Sequence, residues 1–349
     1  MSVDPALVQR IAKETGFREY VVEQILHLKS MLKMINDDPL LRGRLILIGG
    51  TAINLFDKDM PRLSVDIDLD YSHRGRGRFT YDLIDKHLST FIRIADTLDM
   101  RCFENRHLRP KQSDLLRLMF EYDSNFLSQK GTVKIDVSYL MKDTIFNPIR
   151  RKMKQLHPTD GFGGLSFLVA APCELWAGKA VALVYKSVQD PKPSEVADLY
   201  SMQMARHLFD VSRFQQLLID GKRTINGKQL RTAFILKGIP RIRELFLLTG
   251  DGIRNCPERD IKIELDPYLR QDENGQINRP PLAQMKTLAK EFLHNVCSNS
   301  WNKAEKEFVE DFQEKGHFKP DLLFKKHTTE YKRLSQNEYL KLNLTPFQK

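Results

Sequence analysis

Two hydrophobic periods run along this chain, and the switches between them mark out its strands and helices. Around Leu45 the period is short. Leu45–Ile48 is an unbroken apolar run ending in Gly49-Gly50, and Val65, Ile67 and Leu69 alternate with Asp66, Asp68 and Asp70. The first pattern predicts a buried strand entering a turn; the second predicts a strand with one apolar and one carboxylate face. Leu115–Tyr122 and Thr132–Leu140 return to strand character, the latter with Val133, Ile135 and Val137 opposite Lys134, Asp136 and Ser138. Helical spacing governs Pro5–Lys13, Arg18–Ile35 and Tyr81–Leu98, with Gly16 separating the first two and a short helix, Ala52–Phe56, opened by Thr51. His27 lies beside the apolar stripe of the second helix with no other ligand at metal spacing, so it reads as a packed or surface histidine.

Periodicity fails over Asn147–Gly164, where Pro148, the basic run Arg150-Arg151-Lys152-Met153-Lys154, Pro158 and three glycines stand. This predicts a boundary between a domain at 1–150 and another at 151–349. Pro172 then opens a helix whose stripe is Leu175, Trp176, Ala180, Leu183 and Val184. A proline-punctuated loop leads to a helix carrying Asp198-Leu199-Tyr200, and from Ser201 onward the pattern is largely helical, interrupted by a polar loop at Asp266–Pro281.

Composition narrows the function. A formal charge of +10 on 349 residues favours an acidic partner, nucleic acid before any anionic membrane surface. Gly221–Arg243 holds seven cations and no acid, which makes it the candidate RNA-backbone contact, and the arginines of Ser72–Arg78 are candidates to meet phosphate. Cys102, Cys173, Cys256 and Cys297 are far apart and form no C-x-x-C pair, against a zinc site or disulfide framework and in favour of a reducing compartment. With no leader and no apolar stretch near the ~20 residues of a membrane span, a cytoplasmic protein without membrane contact is expected.

The candidate chemistry gathers at Leu45–Asp70. A strand, a Gly-Gly turn and a hydroxyl residue at a helix start aim free backbone N–H groups and a helix dipole at one spot, which suits phosphate. Carboxylates at i and i+2 on one strand face can share a hard cation, magnesium or manganese, and repel one another without it. A calcium loop is excluded, because its sixth and twelfth positions would be Tyr71 and Gly77 instead of glycine and glutamate. An isolated D-x-D would otherwise read as a solvated edge strand.

Gly49-Gly50-Thr51-Ala52, Arg62-Leu63-Ser64 and Asp66-Ile67-Asp68 together resemble the G-[GS]-[ST] … D-x-D signature of polymerase-β-like nucleotidyltransferases. The arrangement GGTA-x-N-L … R-L-S-x-D-I-D-L more specifically resembles the AbiEii/AbiGii, or MenT-type, toxin family. The resemblance implies an α+β fold: a polymerase-β-like nucleotidyltransferase core with a mixed sheet, followed by a mostly helical domain. It implies that Asp66 and Asp68 hold the metal, that Gly49, Gly50 and Thr51 bind the phosphates of a nucleoside triphosphate, and that Ser64 borders the nucleotide. Asp136 is by resemblance the third carboxylate, on a later strand. Glu174, Lys179 and Ala182 fit the family's E-x-x-x-x-K-x-x-A segment, and its following D-[LF]-[YF] helix points to Asp198. Lys179 would then offset triphosphate charge and Asp198 would orient Lys179 or approach the nucleotide. The implied reaction is transfer of a nucleoside monophosphate to RNA, at the 3′ end of tRNA, by a toxin neutralised by an antitoxin protein. Nucleotidylation of a protein or small molecule, and a non-catalytic nucleotide- or RNA-binding protein, remain alternatives.

Overall fold

The computed structural model describes residues 3–56, 62–73, 81–108, 115–188, 204–240, 242, 245, 248, 256–337 and 340–341. They divide into two units, one of residues 1–170 with 268–278, the other of residues 171–267 with 279–349.

The first unit is built on a seven-stranded mixed sheet. In chain order its strands are β1 (Leu45–Ile48), β2 (Asp66–Tyr71), β3 (Arg101–Leu108), β4 (Leu115–Tyr122), β5 (Gly131–Ser138), β6 (Ile149–Lys152) and β7 (Ser166–Val169), arranged β3-β4-β5-β2-β1-β7-β6. β2 pairs antiparallel with β1 and parallel with β5, and β1 pairs parallel with β7. Leu45, Leu47, Ile67, Leu69, Leu116, Leu118, Val133, Ile135, Phe167 and Val169 are all buried, so the alternation read from the sequence becomes one continuous apolar face. Helices α1 (Pro5–Thr15), α2 (Glu19–Asp37) and α4 (Tyr81–Thr97) supply further apolar stripes, while the short α3 (Gly49–Phe56) follows β1 directly.

α2 buries more than its apolar stripe. Glu23, His27 and Lys29 are also buried, each with a specific partner. Glu23 accepts from the Ser124 hydroxyl and from the Asn125 backbone N–H at 2.9 Å, which anchors the β4–β5 turn. His27 stacks on Tyr122 with centroids 3.9 Å apart, and burial pushes its pKa down to about 4. Lys29 donates to Asp160 at 2.6 Å and to the Lys154 carbonyl at 2.8 Å, with neither side chain of the ion pair exposed. Asp160 also accepts the backbone N–H groups of Leu156 and Phe162, so one buried carboxylate organises the β6–β7 connection.

That connection corrects the expected domain boundary. The prolines and glycines of 147–164 belong to a hairpin on the sheet edge, with Arg150 opposite Leu168 and Lys152 opposite Ser166, and the first unit runs on to residue 170. A second departure lies at 268–278, expected as a plain loop. This segment joins the first unit: Leu63 N–H donates to the Tyr268 carbonyl at 3.0 Å, and Gln271 N–H to the Gly16 carbonyl at 2.7 Å.

The second unit is helical, as expected. It comprises α5 (Pro172–Val188), α6 (Met204–Ile219), α7 (Gly227–Gly238), α8 (Leu282–His294), α9 (Lys303–Lys315) and α10 (Thr329–Ser335), with short helical turns between. Trp176 of α5 stacks on Phe214 of α6 at 3.9 Å, and Phe214 meets Phe292 of α8 edge-on at 5.8 Å, forming an aromatic spine for these three helices. Asn302 and Glu305 form a reciprocal capping box at the start of α9.

Candidate active site

The central strand β2 presents Asp66, Asp68 and Asp70 on its half-buried face while Ile67, Leu69 and Tyr71 enter the core. Parallel pairing sets Asp68 beside Asp136 of β5 and Asp66 beside Lys134, so all four side chains leave the same face of the sheet. Asp136 is held from two sides. Its oxygens accept from Arg117 Nε at 2.9 Å and Nη2 at 3.0 Å, and Lys134 Nζ lies 2.9 Å from Oδ2. Arg117, opposite Asp136 on β4, carries no motif in the sequence and is legible only once the strands are in register.

The turn after β1 closes against this strand. Gly49 has φ +71°, and a Cβ there would stand 2.1 Å from Asp68 Oδ2. At Gly50 a Cβ would lie 2.6 Å from Ser64 Oγ. Both positions therefore need glycine for close approach, and Gly49 needs it for its backbone as well. Thr51 is fully buried, and its hydroxyl donates to the Asp66 carbonyl. This bond ties the start of α3 to the start of the carboxylate strand. The Thr51 hydroxyl is thus committed within the fold, and the groups this turn has to offer a ligand are the first backbone N–H groups of α3, which have no intrahelical acceptor. Asn54 Nδ2 donates to the Gly50 carbonyl at 2.8 Å, and the buried Arg62 donates to the Leu63 carbonyl at 3.1 Å. Arg62-Leu63-Ser64 thus forms the floor under Gly50.

In the second unit, Lys179 of α5 is only 6 % exposed and forms a 2.8 Å ion pair with Asp210 of α6. His207 Nδ1 lies 3.4 Å from the same ammonium. Asp198, expected from the family signature, lies outside the described residues, as do Leu199 and Tyr200. Asp210 was not singled out from the sequence, although a signal existed: it interrupts the apolar stripe of α6 between Phe209 and Val211, where an acid implies a buried cation.

The basic run at 221–243 looks different once folded. Arg231 pairs with Glu305 at 3.2 Å, Lys237 with Glu174 at 3.7 Å and Lys222 with Asp220 at 3.1 Å. Acids distant in sequence, or just preceding the run, meet these cations, while Arg241 and Arg243 lie outside the described residues. Of the Ser72–Arg78 loop only Ser72 and His73 are described.

The donor set fits a divalent cation in part. Asp66 and Asp68 offer hard carboxylate oxygens at i and i+2 on one face, with Asp68 seated against the bare Cα of Gly49. The third carboxylate is engaged by Arg117 and Lys134, and among the described residues no cluster of three or more acids, histidines or cysteines has metal spacing. The described helices include none long and apolar enough to cross a membrane.

Comparison with known proteins agrees with this architecture. The chain shares its fold with MenT4, a nucleotidyltransferase toxin from Mycobacterium tuberculosis H37Rv, at TM-score 0.58 and 15% identity, covering 98% of this chain and 99% of that one. JHP933 from Helicobacter pylori aligns at TM-score 0.39 and 16% identity over 86% of this chain and 96% of that one. A putative nucleotidyltransferase from H. pylori aligns at TM-score 0.40 and 16% identity over 87% and 100%. None of the curated protein sequences matches. The model of the family described as nucleotidyl transferase AbiEii toxin, type IV toxin–antitoxin system, matches residues 31–317, so the chain belongs to the AbiEii nucleotidyltransferase toxin family.

Proposed function

We propose that this toxin transfers a nucleoside monophosphate from a nucleoside triphosphate to RNA, at the 3′ end of tRNA, with Asp66 and Asp68 holding magnesium or manganese. The observation that carries the reading is the seating of Asp68 against the Gly49-Gly50 turn, which brings the β2 carboxylates next to the N-terminus of α3. Bound there, a divalent cation would neutralise triphosphate charge and lower the pKa of the attacking hydroxyl.

The chain's own residues prepare the rest. Backbone N–H groups at the start of α3 receive the β- and γ-phosphates, and Thr51 keeps that helix start in register with Asp66. Ser64 borders the nucleotide beside Gly50. The acceptor oxygen forms a bond to the α-phosphorus, the α–β bridging bond breaks, and pyrophosphate leaves with its electron pair while the hydroxyl proton passes to solvent. By the resemblance in the second half of the chain, Lys179 stabilises that leaving charge. Asp210 acts as its positioning residue, a role for which Asp198 also stands as a candidate. Arg117 and Lys134 hold Asp136 beside Asp68, and Asp136 would be the third carboxylate offered to a bound cation, through Oδ1, which accepts from Arg117 alone. An antitoxin protein is the expected regulator of a chain in this family.

The test supplies each α-labelled nucleoside triphosphate in turn with magnesium and total RNA or, separately, RNase-treated lysate. Label on tRNA-sized RNA, lost in Asp66→Asn, supports the reading. Label confined to protein or small molecules rejects RNA as acceptor.

A further inference from the structure

The basic run Arg150-Arg151-Lys152, which looks like a linker in the sequence, forms edge strand β6 of the sheet that carries the carboxylates. Register decides which way its cations point. Asp68 pairs with Ile48, Leu47 with Val169, and Leu168 with Arg150, so Ile46, Ile48, Leu168 and Ser166 lie on the carboxylate face. Arg150 and Lys152 share that face, whereas Ile149 and Arg151 point to the other. Three strand spacings, about 14 Å, separate β6 from β2.

We propose that β6 is a track for the phosphodiester backbone of the RNA acceptor, contacted by Arg150 and Lys152; this rests on the RNA reading of the same site. Both side chains are exposed, and neither has an ion pair with any described residue. Arg150 makes a 3.4 Å bond to the Ser166 carbonyl across the hairpin and otherwise faces solvent. Arg231 and Lys237 of the run at 221–243, by contrast, are already paired with Glu305 and Glu174. The strand is also firmly mounted: the buried Lys29–Asp160 pair fixes the connection between β6 and β7. A charged, four-residue edge is a poor template for adding a strand of another protein. A polyanion needs no backbone match and is complementary to cations that form no ion pair among the described residues. An acceptor whose reacting end lies at Asp66 and Asp68 would cross β6 a few nucleotides upstream.

The experiment measures binding of a labelled tRNA by fluorescence anisotropy from about 50 to 200 mM salt, using the full chain, the R150A/K152A variant and the R151A variant. Magnesium-dependent labelling of RNA and protein is followed in parallel. The expected result is a loss of about tenfold in affinity for R150A/K152A, with the log–log salt slope shallower by about 1.5, and a change below about twofold for R151A. Unchanged binding in R150A/K152A, with wild type still labelling RNA, overturns the track and leaves the acceptor reading intact. So does self-association of that variant with RNA binding intact, which would make the cations edge protection only. Equal loss in R151A overturns the face assignment. A wild-type chain that labels only protein, with labelling reduced in R150A/K152A, assigns the strand to a protein and overturns both readings.

Discussion

Gly49 is where the β1–α3 turn and the Asp68 carboxylate compete for the same volume. Alanine there must both hold φ near +71° and displace Asp68 Oδ2, whereas Gly161, at φ +79°, has open space around its missing side chain. Gly161→Ala therefore carries only the backbone cost, roughly 1 kcal/mol. Gly49→Ala is expected to cost about 1–3 kcal/mol and to lose nearly all transfer, measured by denaturant melts and labelled-nucleotide incorporation. Similar activity in the two variants would contradict the close fit. Thr51 makes a parallel case. Its type was legible as a hydroxyl at a helix start, but the direction of that hydroxyl, toward the Asp66 carbonyl, depends on where β2 lies beneath it. Thr51→Ser should retain most activity, and Thr51→Val should lose about 1 kcal/mol of stability by removing this hydrogen bond.

At the scale of elements, alternation in the sequence was enough to put Asp66, Asp68 and Asp136 on polar strand faces. It could not say that β5 pairs parallel with β2, because strand order depends on long-range packing that no local period records; Asp136 acquires its neighbours Asp68 and Arg117 only from that order. The hairpin of β6 and β7 was hidden for the opposite reason. Its prolines and glycines are ordinary loop signals, and what makes the loop structural is Lys29, more than a hundred residues away in sequence, buried on α2. Lys29→Met is expected to cost about 3–5 kcal/mol by stranding Asp160, and the double change K29M/D160N to recover part of that loss. A cost below about 1 kcal/mol for the single change would mean the loop is held by other contacts. Asp210 was missed because the D-[LF]-[YF] pattern drew attention to Asp198, while the acid set in the stripe of α6 carries no motif.

The whole molecule should respond to pH through two buried histidines. Burial pushes His27 and His87 from 6.5 to about 4, so in the folded state both stay neutral where the unfolded chain takes up protons. Stability is then highest above about pH 6.5 and falls as pH drops from 6.5 toward 4, since the unfolded state binds more protons in that window. Denaturant midpoints should decline across it in wild type and less steeply in His27→Gln; a flat profile would show that these rings are solvated. The net charge of +10 likewise acquires meaning only from the fold, which pairs several cations of 221–243 and leaves Arg150 and Lys152 of β6 exposed. The central claim is that the carboxylates of β2 hold the metal for nucleotidyl transfer. It is tested most directly by magnesium-dependent incorporation of α-labelled nucleotide by wild type, Asp66→Asn and Asp68→Asn, with thermal melts of each. The expected result is loss of incorporation in both variants with melting temperatures equal to or above wild type, because removing a charge relieves repulsion within the pair. Retained turnover in both folded variants would contradict it.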